Sequence, residues 1–135
     1  MSDFIHGFLA VFLGTYKGTE VALKVLRLEN HRRDLEDFKK ELEIMSQVKN
    51  PHIVHFYGAT IEPKLVICLE YCSGGSLFHY LQDPNKPVSW SLIIRWAMEI
   101  TSGINFLHQF KPQIVHRDLK SLNLLVRDKK KRFSF

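Results

Sequence analysis

The chain has 135 residues, 45% of them hydrophobic and 24% charged, which is too apolar for a disordered chain and long enough for one domain or part of one. Nineteen basic residues against fourteen acidic ones give a net charge of +5, which excludes an acidic, solvating segment but selects no partner by itself. The longest apolar run, residues 8–13, is too short to span a bilayer, and the six residues before Gly7 hold no Lys or Arg to open a signal peptide.

Taken in chain order, residues 21–28 are apolar and β-branched and read as a strand. Residues 34–48 read as a helix, with Asp34 as N-cap, Asp37 three residues on, and an apolar stripe of Phe38, Leu42, Met45 and Val48. Asn50-Pro51 ends it. Residues 64–69 read as a second strand, and the core of this first part is expected around Val25, Phe38, Leu42, Met45 and Val66. Cys68 and Cys72 have neither disulfide nor zinc spacing and read as reduced core residues of a cytoplasmic protein. Gly74-Gly75 and residues 83–87 are loops on either side of a short helix at 76–81. Residues 89–110 form a long helix whose stripe is Leu92, Trp96, Ile100, Ile104 and Leu107, widened by Ile93, Ala97 and Phe106. Ile114-Val115 and residues 124–126 are expected as short buried strands around a polar loop. The basic run at 127–132 reads as a solvated loop; no aromatic residues interleave with it, so no nucleic acid is expected. Strands and one helix followed mostly by helix make an α+β pattern in two parts.

Three groups of residues carry chemistry. In a strand Ala22 and Lys24 share a face, which leaves room for a flat ligand beside a cation, though a strand lysine reaching water gives the same pattern. Glu41 falls on the apolar stripe of its helix, where burying an unpaired carboxylate costs several kcal/mol, so a cation is expected near it unless it sits at the stripe's margin. Lys24 is the natural candidate. The string His-Arg-Asp-Leu-Lys-Ser-Leu-Asn at residues 116–123 crowds an acid, a lysine and an amide into one loop. Asp118 can take a hydroxyl proton, Lys120 can neutralise a phosphoryl oxygen, and Asn123 can ligate Mg²⁺.

At that loop the chain resembles the protein kinases. Residues 116–123 resemble their catalytic loop, residues 21–24 (Val-Ala-Leu-Lys) the strand with the ATP lysine, Glu41 its partner on the αC helix, and residues 69–77 the gatekeeper and hinge. The resemblance implies a partial kinase domain: residues 15–70 in a small lobe of antiparallel sheet and αC, 71–75 the hinge, 76–126 the start of a helical lobe, and 127–135 a basic end. It implies ATP and Mg²⁺ as cofactors and a protein serine or threonine as acceptor. Lys24 would hold the α- and β-phosphates, clamped by Glu41. Adenine would meet the backbone of Glu70 and Cys72 between Ala22 and Leu125, with Leu69 as gatekeeper. Asp118 would be the base, Lys120 would steady the γ-phosphate, and Asn123 would bind a metal ion. Lysine at position 120 is the serine/threonine form of the loop. With Tyr16-Lys17-Gly18 and residues 54–58 it looks most like the tyrosine-kinase-like group, which includes the Raf and mixed-lineage kinases.

Two departures qualify this. The three glycine positions of the phosphate-covering loop fall on Phe8, Ala10 and Leu13, so residues 1–14 are expected to be sequence foreign to the domain. No Asp-Phe-Gly follows residue 126, and residues 132–135 stand near where it should arrive. The chain as given is therefore expected to be a poor catalyst and aggregation-prone, with the stripe of the long helix left bare. The alternative is a catalytically dead, kinase-like module that works by contact.

Overall fold

Lys17 and Gly18 both take left-handed backbone angles, φ 50° and 78°. A two-residue loop of that kind twists with its flanking strands, and it closes a hairpin here. Strand β1 (Phe8–Tyr16) pairs antiparallel with β2 (Thr19–Leu26), from Tyr16 opposite Thr19 to Phe8 opposite Leu26. The computed structural model describes residues 8–26, 33–127 and 132–134. The chain divides into two compact units, residues 1–49 with 55–71, and residues 50–54 with 72–135.

The first unit is a four-stranded antiparallel sheet in the order β1-β2-β4-β3, where β3 is Phe56–Thr60 and β4 is Val66–Glu70. Helix α1 (Arg33–Gln47) packs its stripe on this sheet. The core is Leu26, Phe38, Leu65 and Ile67, flanked by Leu42, Met45, Phe56 and Leu69. Each large apolar side chain so buried contributes about 1.5–3 kcal/mol. Val25 and Val66, expected in this core, instead oppose one another and are only half-buried. Side chains alternate along a strand, so an inward Ile67 and Leu26 turn Val66 and Val25 to the other face. Cys68 goes with them and is half-buried rather than core, while Cys72 is buried; neither is in a disulfide. Asp34 lies in the first turn of α1 rather than ahead of it; residues 27–32 and the side chains of Asp34 and Asp37 fall outside the described residues. Residues 8–14 are paired with β2 and so belong to the sheet, despite their departure from the glycine pattern.

In the second unit, α2 (Leu77–Gln82) is capped by Ser76, whose Oγ accepts from the His79 N–H. Helix α3 (Trp90–Gln109) is capped in the same way by Ser89, whose Oγ accepts from the Leu92 N–H, and it stops at Phe110. Ser76, Ser89 and Phe110, expected inside the helices, are thus caps, and α2 runs one residue past its expected end at Leu81. Strand β5 (Leu125–Arg127) pairs with β6 (Arg132–Ser134), so the two ends of the basic run expected as a solvated loop are in strands, while residues 128–131 fall outside the described residues. Ile114 and Val115 form no strand: Ile114 is buried and donates its N–H to the Leu107 carbonyl near the end of α3, while Val115 is exposed. The core gathers Tyr80, Leu92, Trp96, Leu124 and Val126, with Ile100 packed on it and the Tyr80 and Trp96 rings edge to face at 5.6 Å. The stripe expected to lie bare is therefore largely covered within the unit, at Leu92, Trp96 and Leu107. It is the neighbouring face that is open, with Trp90 79% and Met98 68% exposed and Ile94 between them. Among the described residues no helix is long and apolar enough to cross a membrane.

The stretch after Cys72 lies along β5 like a further strand. Gly74 N–H donates to the Val126 carbonyl at 2.9 Å, Val126 N–H to Gly75 at 2.8 Å, and Leu77 N–H to Leu124 at 2.7 Å. A Cβ on Gly74 would stand 2.5 Å from the Val126 oxygen, and Gly75 has φ +70°. One glycine permits the approach and the other the turn. Val126 is 1% exposed and has no room to yield. Gly74→Ala is therefore expected to destabilise the second unit by about 1–3 kcal/mol. Thermal melting checks this, and an unchanged midpoint would contradict the packing described.

Candidate active site

The site residues fall into two groups, one in each unit. In the first, Ala22 faces Leu69 across the β2–β4 ladder and Lys24 faces Ile67. Ile67 is core, so Ala22, Lys24 and Leu69 lie on the face that α1 covers. Glu41 sits on α1, three residues after the buried Phe38. Both charges are half-buried. Burial holds the Lys24 ammonium below the usual lysine range, and the Glu41 charge pulls it back up. Burial likewise raises the Glu41 carboxyl, and the Lys24 charge opposes that. The two groups thus sense one another across the core face, while Glu41 Oε2 is buried with no hydrogen-bond partner among the described residues. Glu70, at the end of β4, donates its N–H to the His55 carbonyl at 2.8 Å.

In the second unit the loop from His116 to Asn123 folds around one carboxylate. Lys120 Nζ lies 2.9 Å from Asp118 Oδ2. Asn123 Nδ2 donates to the same Oδ2 and to the Asp118 carbonyl, both at 2.8 Å. Two acceptors at one nitrogen fix the amide's orientation, which leaves Oδ1 as its ligand atom. The hydrogen bond from Lys120, then that from Asn123, holds Asp118 below the ordinary carboxylate range, so it stays ionised at neutral pH. Burial lowers His116, against the pull of Asp118. Arg117 between them has φ 61°, a left-handed angle that costs a residue with a side chain about 1–2 kcal/mol. The loop is held in that shape from outside as well as within, since Phe78 at the start of α2 donates its N–H to the Ser121 carbonyl. Leu125, in β5, bridges Ser76, and the carbonyl of buried Cys72 accepts from Gly75.

The sequence places Gly74-Gly75 in a loop and in the hinge-like segment without giving either glycine a role, and it assigns none to the Arg117 backbone or to Ser121. Adjacent glycines beside an expected ligand-contact segment were the available signal for the first; the others have none short of coordinates. Among the described residues no three His, Cys, Asp or Glu side chains gather as a metal site.

A small antiparallel sheet with one helix, and a helical unit carrying a loop in which aspartate, lysine and asparagine converge, define a protein-kinase-like domain. A family model described as protein tyrosine and serine/threonine kinase matches residues 6–132, and the chain belongs to that family. It is 50% identical over 119 residues to "Stress-activated protein kinase alpha" of Dictyostelium discoideum, which covers 88% of this chain and 19% of the relative. Two further relatives from that organism, each named "Probable serine/threonine-protein kinase", are 49% and 48% identical over 118 residues. Those alignments cover 87% of this chain and 5% and 14% of the relatives. The chain thus spans a fifth or less of the relatives it matches.

The Glu41 environment makes a prediction with a definite sign. Its carboxyl is raised in the fold, so the folded chain holds that proton more readily than the unfolded one. Ionising it therefore costs stability as pH climbs through and above the ordinary carboxylate value. Glu41→Gln removes that cost: the variant is expected to melt above the wild type at pH 7, with the advantage gone near pH 4. A variant that melts lower at pH 7 would show that the charge is a net stabiliser.

Proposed function

We propose that this domain is an ATP-dependent protein serine/threonine kinase of the tyrosine-kinase-like group, acting in the cytoplasm. The observation that carries the proposal is the convergence of Lys120 and Asn123 on Asp118 in a loop held at a strained angle. That arrangement suits phosphoryl transfer, where positioning and charge neutralisation do most of the work. Asp118, ionised and with Oδ2 engaged, presents its remaining oxygen to an acceptor hydroxyl and takes its proton. Lys120 is placed to follow negative charge onto the transferred phosphoryl group. Asn123 Oδ1 is an oxygen ligand of the kind Mg²⁺ prefers, and the ion when bound supplies charge neutralisation to the phosphates.

In the first unit Lys24 is a cation on a partly buried face, where a phosphate gains more from it than in water. Glu41 orients it. Ala22 and Leu69 give apolar contact for a flat base, and the Glu70 backbone lies at the end of β4 to hydrogen-bond it; Cys72 and Leu125 have the same roles in the second unit. Lysine at 120 and the serine/threonine kinases among the relatives support the hydroxyl of serine or threonine as acceptor. No observation favours a module that acts by contact alone.

The test is Asp118→Asn, assayed with labelled ATP and a serine/threonine peptide in a version of the domain extended to carry an Asp-Phe-Gly motif. Transfer is expected to fall by roughly two to four orders of magnitude, the usual worth of a positioned base, with MgADP binding retained. An unchanged rate would remove Asp118 from the mechanism.

A further inference from the structure

On the face of the sheet turned away from α1, side chains from three strands and the lead-in to β3 meet in a row. Tyr16 ends β1 and Tyr57 lies in β3, at opposite edges of the sheet, yet their rings stand 5.8 Å apart, tilted by 52°. They reach one another over β2 and β4. Tyr57 also meets the His55 ring edge to face at 4.7 Å. The His55 N–H donates to Glu70 Oε2 at 3.2 Å, while the Glu70 N–H donates back to the His55 carbonyl at 2.8 Å. Beneath the rings is a shallow cavity of about 280 Å³, with Leu23, Val66 and Cys68 among its lining, so the tyrosines are held by each other more than by a filled layer below. Val21, on this same face, is fully buried.

The register shows what the row connects. Tyr16 pairs with Thr19 at the closed end of the hairpin, and Val21, two residues on, pairs with Glu70, the last residue of β4. The row therefore ties the hairpin end of β1 to the end of β4. We infer that Tyr16, Tyr57, His55 and Glu70 form a strap of positioning residues that sets nucleotide affinity from the far side of the sheet. This rests on the kinase reading, in which β1 overlies the phosphates and the Glu70 backbone meets the base. Without the strap β1 is an edge strand held on one side only, free to fray from the sheet. Glu70 is gripped through both its N–H and its carboxylate, which holds the residue at the end of β4 by its backbone and its side chain. The side chains act on the opposite face from Lys24, through the backbone.

Calorimetric titration of the 135-residue chain with MgADP tests the strap. Tyr57→Leu is expected to weaken binding about three- to tenfold, the range of an aromatic pair, and Tyr57→Phe, which keeps the ring, to stay within about twofold. Glu70→Ala, which removes an exposed hydrogen bond and leaves the core intact, should also weaken binding. Adding Tyr16→Leu to Tyr57→Leu should cost little more, since both remove one contact. Wild-type affinity in Tyr57→Leu or Glu70→Ala, or full additivity of the two tyrosine changes, would overturn the strap and leave the kinase reading standing. A wild-type chain that does not bind MgADP would overturn both.

Discussion

Everything in the first unit turns on the alternation of side chains along β2. A strand that buries Leu26 on the helix-covered face must put Lys24 and Ala22 there too, because they are two and four residues away. The fold thus brings a lysine to a face shared with Ile67, and both it and Glu41 answer to burial before they answer to each other. Burying a charge without a full set of partners costs stability, and a structure selected for stability alone would place an apolar residue at either position. On the kinase reading proposed above, the beneficiary would be a nucleotide whose phosphates regain at Lys24 what burial has taken.

The second unit meets the same demand with backbone rather than burial. Asp118 and Lys120 are at or near the surface, and the loop gets its rigidity from main-chain bonds: Asn123 to Lys120, Asp118 to His116, and Phe78 to Ser121. The strain at Arg117 persists because those bonds leave the loop no relaxed alternative. The ladder from Gly74 to Leu77 along β5 extends this order to the segment after Cys72. Both units hold functional groups on regular elements or on loops tied to them, which is what precise positioning requires.

The helices were legible because their signals are local. Ser76 and Ser89 are N-caps, each followed by a residue whose amide it satisfies, and the stripe of Leu92, Trp96 and Leu107 recurs at helical spacing. The loop at 116–123 was legible because eight residues in order leave little room for accident. Strand β1 was hidden, since an unbroken apolar run carries no period and its turn depends on a non-glycine residue, Lys17, at positive φ. β3 is five residues with a glycine in the middle, and β6 is three residues in a basic stretch. Exchanging Val25 and Val66 for Leu26 and Ile67 was a parity error, which sequence cannot settle in a strand apolar on both faces. Contacts between distant segments, such as Tyr16 with Tyr57, leave no sequence pattern at all.

Whether the half-buried lysine of β2 serves as a phosphate site can be read at the lysine itself. With lysines labelled at ¹³Cε and the Lys24 signal assigned through Lys24→Arg, NMR titration in alkaline buffer follows its proton directly. Lys24 is expected to titrate below the ordinary lysine range in the free chain and to move up when MgADP is added, as phosphate oxygens stabilise the ammonium. A Lys24 that titrates like a surface lysine and ignores MgADP would contradict it.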